Sequence, residues 1–134
     1  MNIKELPKED FEQAKQLYCE SFNKPYQPTT IELLGKIIGI YQENQLIGIA
    51  QIDYINNVFE NKRIAYINSF CIKKEYRHQG YGDKLLKECI QIIKKNQGSL
   101  INMTSNKNRV YAHMLYEKNN FETIDTILLK KEIQ

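Results

Sequence analysis

The sequence predicts a mixed α/β fold in which helices cover a central sheet, and three stretches carry that prediction. Two β-rich runs at residues 37–42 and 46–54 flank Glu43-Asn44-Gln45, where Asn accepts the left-handed backbone of a tight hairpin turn. Residues 64–72 carry apolar side chains on both faces, the pattern of a strand covered on both sides. Residues 82–96 set Leu85, Leu86, Cys89, Ile90 and Ile93 on one helical face, with Lys84, Lys87, Lys94 and Lys95 mainly opposite.

The remaining elements follow in order. A short strand is expected at residues 2–6. Phe11, Ala14, Leu17, Tyr18 and Phe22 recur at helical spacing and predict an amphipathic helix over 9–22. Residues 23–28 hold Pro25 and Pro28 and read as a polar turn, after which Thr29 and Glu32 form a capping-box pair for a brief second helix ending near Gly35. A polar loop at 56–62 leads into the long strand. Gly98 ends the lysine-rich helix, and a short strand is expected at 100–103. Val110, Tyr111, Met114, Leu115 and Lys118 outline a last helix, and residues 121–129 read as a closing strand. No linker, repeat or low-complexity segment interrupts the chain, so residues 1–134 are expected to form one domain.

Composition narrows the function. The chain has 134 residues, 42% hydrophobic and 26% charged, as in an ordinary soluble globule. Its most apolar stretches, 37–41 and 46–50, fall far short of the roughly 20 residues that span a bilayer. The first residues lack the apolar region of a secretory signal, so a cytoplasmic location is the expectation. Cys19, Cys71 and Cys89 are odd in number and include no CxxC pair, and His78 and His113 lack ligand spacing; no disulfide framework and no metal are expected. A net charge of +3 is too small and too dispersed to indicate a nucleic-acid partner.

The chemically informative segment is Ile72-Lys73-Lys74-Glu75-Tyr76-Arg77-His78-Gln79-Gly80-Tyr81-Gly82, which joins the buried strand to the lysine-rich helix. The first turn of a helix offers unpaired N–H groups and the positive end of the helix dipole, a seat for phosphate. Glycines permit close backbone approach there, and Arg77 adds a permanently charged fork. Relief of strain in a turn is the competing role for Gly80 and Gly82. A dinucleotide-binding G-x-G-x-x-G is a poor fit, with Leu85 at the third glycine position, and a Walker loop a poorer one, lacking the Gly-Lys-Ser/Thr ending.

This segment resembles motif A of the GCN5-related N-acetyltransferase (GNAT) superfamily: Arg or Gln, two variable residues, Gly, one variable residue, then Gly or Ala. Arg77, Gly80 and Gly82 match it. Downstream, Ala112-His113-Met114-Leu115-Tyr116-Glu117-Lys118-Asn119-Asn120-Phe121 resembles the Ala-x-x-Phe/Leu-Tyr-x-x-x-Gly-Phe signature of motif B. The resemblance implies a mostly antiparallel sheet of about six to seven strands, the fourth and fifth splayed apart, flanked by about four helices. It implies acetyl-CoA as co-substrate, with the backbone of Phe70, Cys71 and Ile72 along the pantetheine arm. Arg77, His78, Gln79, Gly80, Tyr81 and Gly82 would hold the pyrophosphate, and Asn108 joins the cofactor-binding set. Tyr116 corresponds to the tyrosine that protonates the departing CoA thiolate, a core aromatic being its other role. Cys71 as an acyl-carrying nucleophile lacks an adjacent base in sequence.

The sequence departs from the family at two places. Asn120 stands where the glycine of motif B is usual, a mild change because Asn tolerates the helix-ending left-handed conformation. Asn68 and Asn102 stand where a strand-borne Glu base is usual, and neither accepts a proton. A lysine-like amine is neutral in roughly one molecule in a thousand at pH 7, a cost of about 4 to 5 kcal/mol, whereas an α-amine loses only about 1.4 kcal/mol. Deprotonation is therefore expected through ordered water to Asp53, Glu75 or His113, or with an acceptor amine of low pKa. The expected partners are acetyl-CoA and a primary amine of a small molecule or peptide, with the chain a monomer or homodimer. A CoA-binding module without transfer activity is the alternative. Acceptor choice is assigned to residues 23–30, the 56–62 loop and the last strand; a dense acidic trough for polyamines or aminoglycosides is not evident, though Glu43, Asp53, Glu60 and Asp125 are acids that could converge.

Overall fold

In the computed structural model, which describes residues 1–134, the chain runs β1 (Asn2–Glu5), a 3-10 turn (Lys8–Asp10), α1 (Phe11–Phe22), β2 (Lys36–Gln42), β3 (Gln45–Asn57) and β4 (Lys62–Ile72). A second 3-10 turn (Lys74–Tyr76), α2 (Tyr81–Lys95), β5 (Leu100–Met103) and α3 (Val110–Lys118) follow. It packs as two units, Met1–Thr104 and Ser105–Gln134.

The first unit is built on one five-stranded sheet in the order β1-β2-β3-β4-β5. The first four strands pair antiparallel, and β5 joins β4 in parallel. Glu43 and Asn44 both take positive φ, 51° and 67°, so a two-residue turn closes the β2–β3 hairpin at the Gln42↔Gln45 pair. That turn matches the right-handed twist of the strands.

Side-chain alternation and cross-strand register give the sheet two faces. On one, Ile49 and Cys71 join Ala14 and Leu17 of α1 in a buried cluster with Tyr41 and Leu46. On the other lie Ile52 and its cross-strand partner Ile67, and here Asn96 at the end of α2 donates to the Tyr54 hydroxyl at 3.1 Å. Leu85, Leu86, Cys89 and Ile93 of α2 are at most 1% exposed.

Two expected elements are absent, which leaves five strands and three α-helices instead of six to seven and about four. No helix forms over 29–35. Ile31 and Leu34 are 83% and 86% exposed, so the segment has no buried face to offset the cost of nucleating one helical turn. The Thr29 hydroxyl, expected as a cap, instead accepts a hydrogen bond from Lys15 Nζ at 2.6 Å. The closing strand over 121–129 is absent too. Ile124 and Ile127 fall on opposite faces of any strand, and Ile127, Leu128 and Leu129 are all 80% or more exposed. No helix is long and apolar enough to cross a membrane.

Candidate functional site

The site begins where β4 outruns its neighbour. Pairing with β5 stops at Ile67↔Met103, whereas β4 continues to Ile72. On the other edge, Gln51 pairs with Asn68 and Ile49 with Cys71, so Ser69 and Phe70 together oppose Ala50 in a β-bulge. Ser69 carries the bulge with a left-handed φ of 56°, unusual for a residue with a side chain. The side chains of Phe70, Cys71 and Ile72 are all buried, Cys71 among the α1-face cluster. This stretch offers its backbone rather than its side chains.

The turn that follows is held by its own hydrogen bonds. Lys73 N–H donates to Ile47 O at 2.7 Å and Tyr76 N–H to Lys73 O at 2.9 Å. Arg77 Nε donates to Ile72 O at 2.7 Å, which ties the guanidinium to the end of β4 through one of its five N–H donors. Gln79 Nε2 reaches Glu75 O at 3.1 Å, which places Glu75 within the turn. His78 and Gly80 both take positive φ, 61° and 90°. Gly80 is the N-cap of α2, no side chain caps the helix, and a Cβ at Gly80 would meet nothing within 4 Å. The first N–H groups of α2 therefore rise beside open space, a seat suited to an anion.

The α1 face changes character along the strands. Beyond Ile49 it carries Gln51 and Asp53 on β3, and Asn68 directly across from Gln51. Gln51 Nε2 and Asn68 Nδ2 both donate to Asp53 Oδ2, at 3.0 and 3.4 Å. Beside this cluster a cavity of about 220 Å³ lies under α1, walled by Phe11, Ala14, Tyr18 and Ile49, with Gln51 and Ser69 also on its lining. Asn102 aligns with Tyr66 on this same face.

In the second unit, Asn108 N–H donates to Asn106 Oδ1 at 2.9 Å ahead of α3. Tyr116 is the buried residue of that helix. Its end is a Schellman motif: Phe121 N–H donates to Tyr116 O and Asn120 N–H to Glu117 O, each at 3.0 Å, with Asn120 left-handed at φ 68°. The Tyr116 and Phe121 rings lie 6.0 Å apart, the apolar contact that accompanies the motif. Asn thus does here what glycine does more often.

The family model described as acetyltransferase (GNAT) domain matches residues 34–123. The chain belongs to the GNAT acetyltransferases. No curated protein sequence matches it. Among solved structures, this GNAT chain is similar to an aminoglycoside acetyltransferase from an uncultured soil metagenomic sample, at TM-score 0.85 and 18% identity over 99% of this chain and 95% of that one. It is similar to a putative acetyltransferase from Agrobacterium tumefaciens, at TM-score 0.86 and 15% identity over 98% and 100%. A ribosomal-protein-alanine N-acetyltransferase from Brucella melitensis has TM-score 0.82 and 12% identity over 98% and 100%. At these identities the likeness is one of fold.

In this GNAT protein the first unit gathers the backbone of Phe70 to Ile72 and the turn from Arg77 to Gly82 at one end of β4, while Tyr116, His113 and Asn108 belong to the second unit. Three of the acids that could converge stand apart: Glu43 and Glu60 sit in the turns at opposite ends of the long β3, and Asp53 lies within that strand. Gln51 and Ser69 went unread as site residues. For Gln51 the signal was present, since Gln51 and Asp53 break an otherwise apolar run at a spacing of two.

Proposed function

We propose that this protein is an acetyl-CoA-dependent N-acetyltransferase that passes the acetyl group directly to a primary amine. The observation that carries the proposal is the uncapped, glycine-opened start of α2 immediately after a bulged β4, inside the segment that matches the family model. The residues suit such a ligand: Gly80 leaves open space where a Cβ would stand, and Arg77 contributes fixed positive charge beside unpaired helix N–H groups. Acetyl-CoA, when bound, supplies an acyl group already activated as a thioester.

In this reading the backbone of Phe70, Cys71 and Ile72 lines the pantetheine arm, Arg77 to Gly82 hold the pyrophosphate, and Asn108 belongs to the cofactor-binding set. A backbone N–H near Cys71 polarises the thioester carbonyl, and Tyr116 gives its proton to the departing thiolate. Burial of Cys71 in the α1-face cluster argues for direct transfer over an acyl-cysteine. The match over 34–123 crosses the boundary between the two units, which supports treating both as one functional domain.

Calorimetry with CoA and thioester consumption over a broad amine panel test this directly. Micromolar CoA binding with turnover of at least one amine is expected, together with a loss of kcat in Tyr116→Phe of about a hundredfold or more. Binding without turnover of any amine identifies a CoA-binding module, the reading favoured by asparagines at positions 68 and 102. No CoA binding overturns both.

A further inference from the structure

Asp53 stands apart from Glu5, the other carboxylate of the sheet, which pairs with Lys36. It accepts from two neutral amides, Gln51 Nε2 and Asn68 Nδ2, both on the same oxygen, and it forms no ion pair with any Lys or Arg. Gly35 lies against its second oxygen so closely that a Cβ there would come within 2.4 Å of Oδ1. A carboxylate oriented by neutral donors keeps its full charge for a cation arriving from outside.

The cavity under α1 links this carboxylate to the bulge. Gln51, which bonds Asp53, and Ser69, which forms the bulge, both line it, and Phe11, Ala14, Tyr18 and Ile49 give it apolar walls. Lys15 and Thr29 line it as well, and there Lys15 Nζ donates to Thr29 Oγ1 at 2.6 Å and lies 4.5 Å from the Tyr26 ring centroid. Asn68 stands two residues before Phe70, about 7 Å along a strand, a distance that a short carbon chain covers.

We infer that the Gln51–Asp53–Asn68 cluster holds a second positive charge of the acceptor, so that the preferred substrates are diamines and longer polyamines. The carbon stem lies against the apolar wall of the cavity while the other amine reaches the bulge. The charge held by Asp53 is not the reacting one, because a carboxylate beside an ammonium stabilises its protonated form and would suppress attack. This assignment rests on the acetyl-transfer reading for the position of the reacting amine.

The test compares diaminobutane with aminobutane, by kcat/KM and by calorimetric titration of each amine into the CoA-saturated protein. In the parent protein diaminobutane is expected to bind more tightly, and Asp53→Asn should weaken it about tenfold or more, the scale of one hydrogen bond to a charged group, while aminobutane and CoA affinities hold. The double variant Asp53→Asn with Asn68→Asp returns a carboxylate to the diagonally adjacent position across the β3–β4 pair and should recover most of the diamine preference. Equal binding of diaminobutane by parent and Asp53→Asn, or equal losses for both amines in a folded variant, overturns the inference. Absence of acetyl transfer from any amine defeats the acetyl-transfer reading alone, since the calorimetric comparison still reports on Asp53.

Discussion

The two faces of the sheet are covered by helices of similar length, yet only one face is sealed. α2 buries Leu85, Leu86, Cys89 and Ile93 against Ile52 and Ile67, all at most 2% exposed. α1 buries only Ala14 and Leu17 and leaves a cavity of about 220 Å³ beside it. The difference lies in the side chains supplied: α2 presents a broad apolar stripe with lysines opposite, whereas the strand residues under α1 turn polar at Gln51, Asp53 and Asn68. One face is packed shut and the other keeps an open cavity. A pocket is cheapest where the covering helix is already thin in large apolar side chains.

The largest effects are expected on the sealed face. Leu86 is fully buried, so Leu86→Ala should cost about 3 kcal/mol in urea unfolding, through lost transfer energy and a residual cavity. A loss below about 1 kcal/mol would show that α2 packs more loosely than its burial states. Cys89 sharpens the same point. Burial, with a smaller contribution from Glu88, pushes its thiol up to about 12, and because the thiolate is the reactive form, alkylation should proceed only as fast as the protein unfolds. Rapid labelling of Cys89 in the folded protein would break the contrast between the faces.

A smaller effect is expected where the α1 face is closed. Tyr41 is buried and donates to Asp10 Oδ2 at 2.6 Å, and burial first, then this bond, raises its phenol above the ordinary 10. The folded protein therefore keeps the phenolic proton at a pH where the unfolded chain releases it. Its contribution is complete below about pH 10 and declines as pH rises beyond that value. Tyr41→Phe should cost about 1 kcal/mol at neutral pH and flatten the fall in stability above pH 10, read from urea midpoints across an alkaline series.

How much of this was legible in the sequence depended on where the deciding partner lay. Asn120 was readable because a helix end in the left-handed region narrows the choice of residue on local grounds. The β2–β3 hairpin was readable for the same reason. The Thr29–Glu32 pair misled because a capping box acts only where the helix behind it has something to bury, and Ile31 and Leu34 face solvent. The run at 121–129 misled because β-propensity without a consistent face is not a strand. The contact between Asn68 and Asp53 was illegible: it depends on the register of β4 against β3, and the bulge at Ser69 and Phe70 interrupts that register immediately afterwards.

The smallest expected effect bears on that bulge. Ser69 holds a φ of 56° in the middle of a strand, where a side chain costs roughly 1 kcal/mol relative to glycine. Glycine also loses more backbone freedom on folding, by roughly 0.5–1 kcal/mol, so the two terms nearly cancel and Ser69→Gly should shift stability by no more than about 0.5 kcal/mol. Ser69→Val separates conformation from composition, because a β-branched residue suits a strand in general but not this backbone, and a loss of about 1 to 2 kcal/mol is expected. Were valine tolerated as well as glycine, β4 would be able to relax into regular pairing with β3. The open polar end of the α1 face would then owe nothing to the bulge.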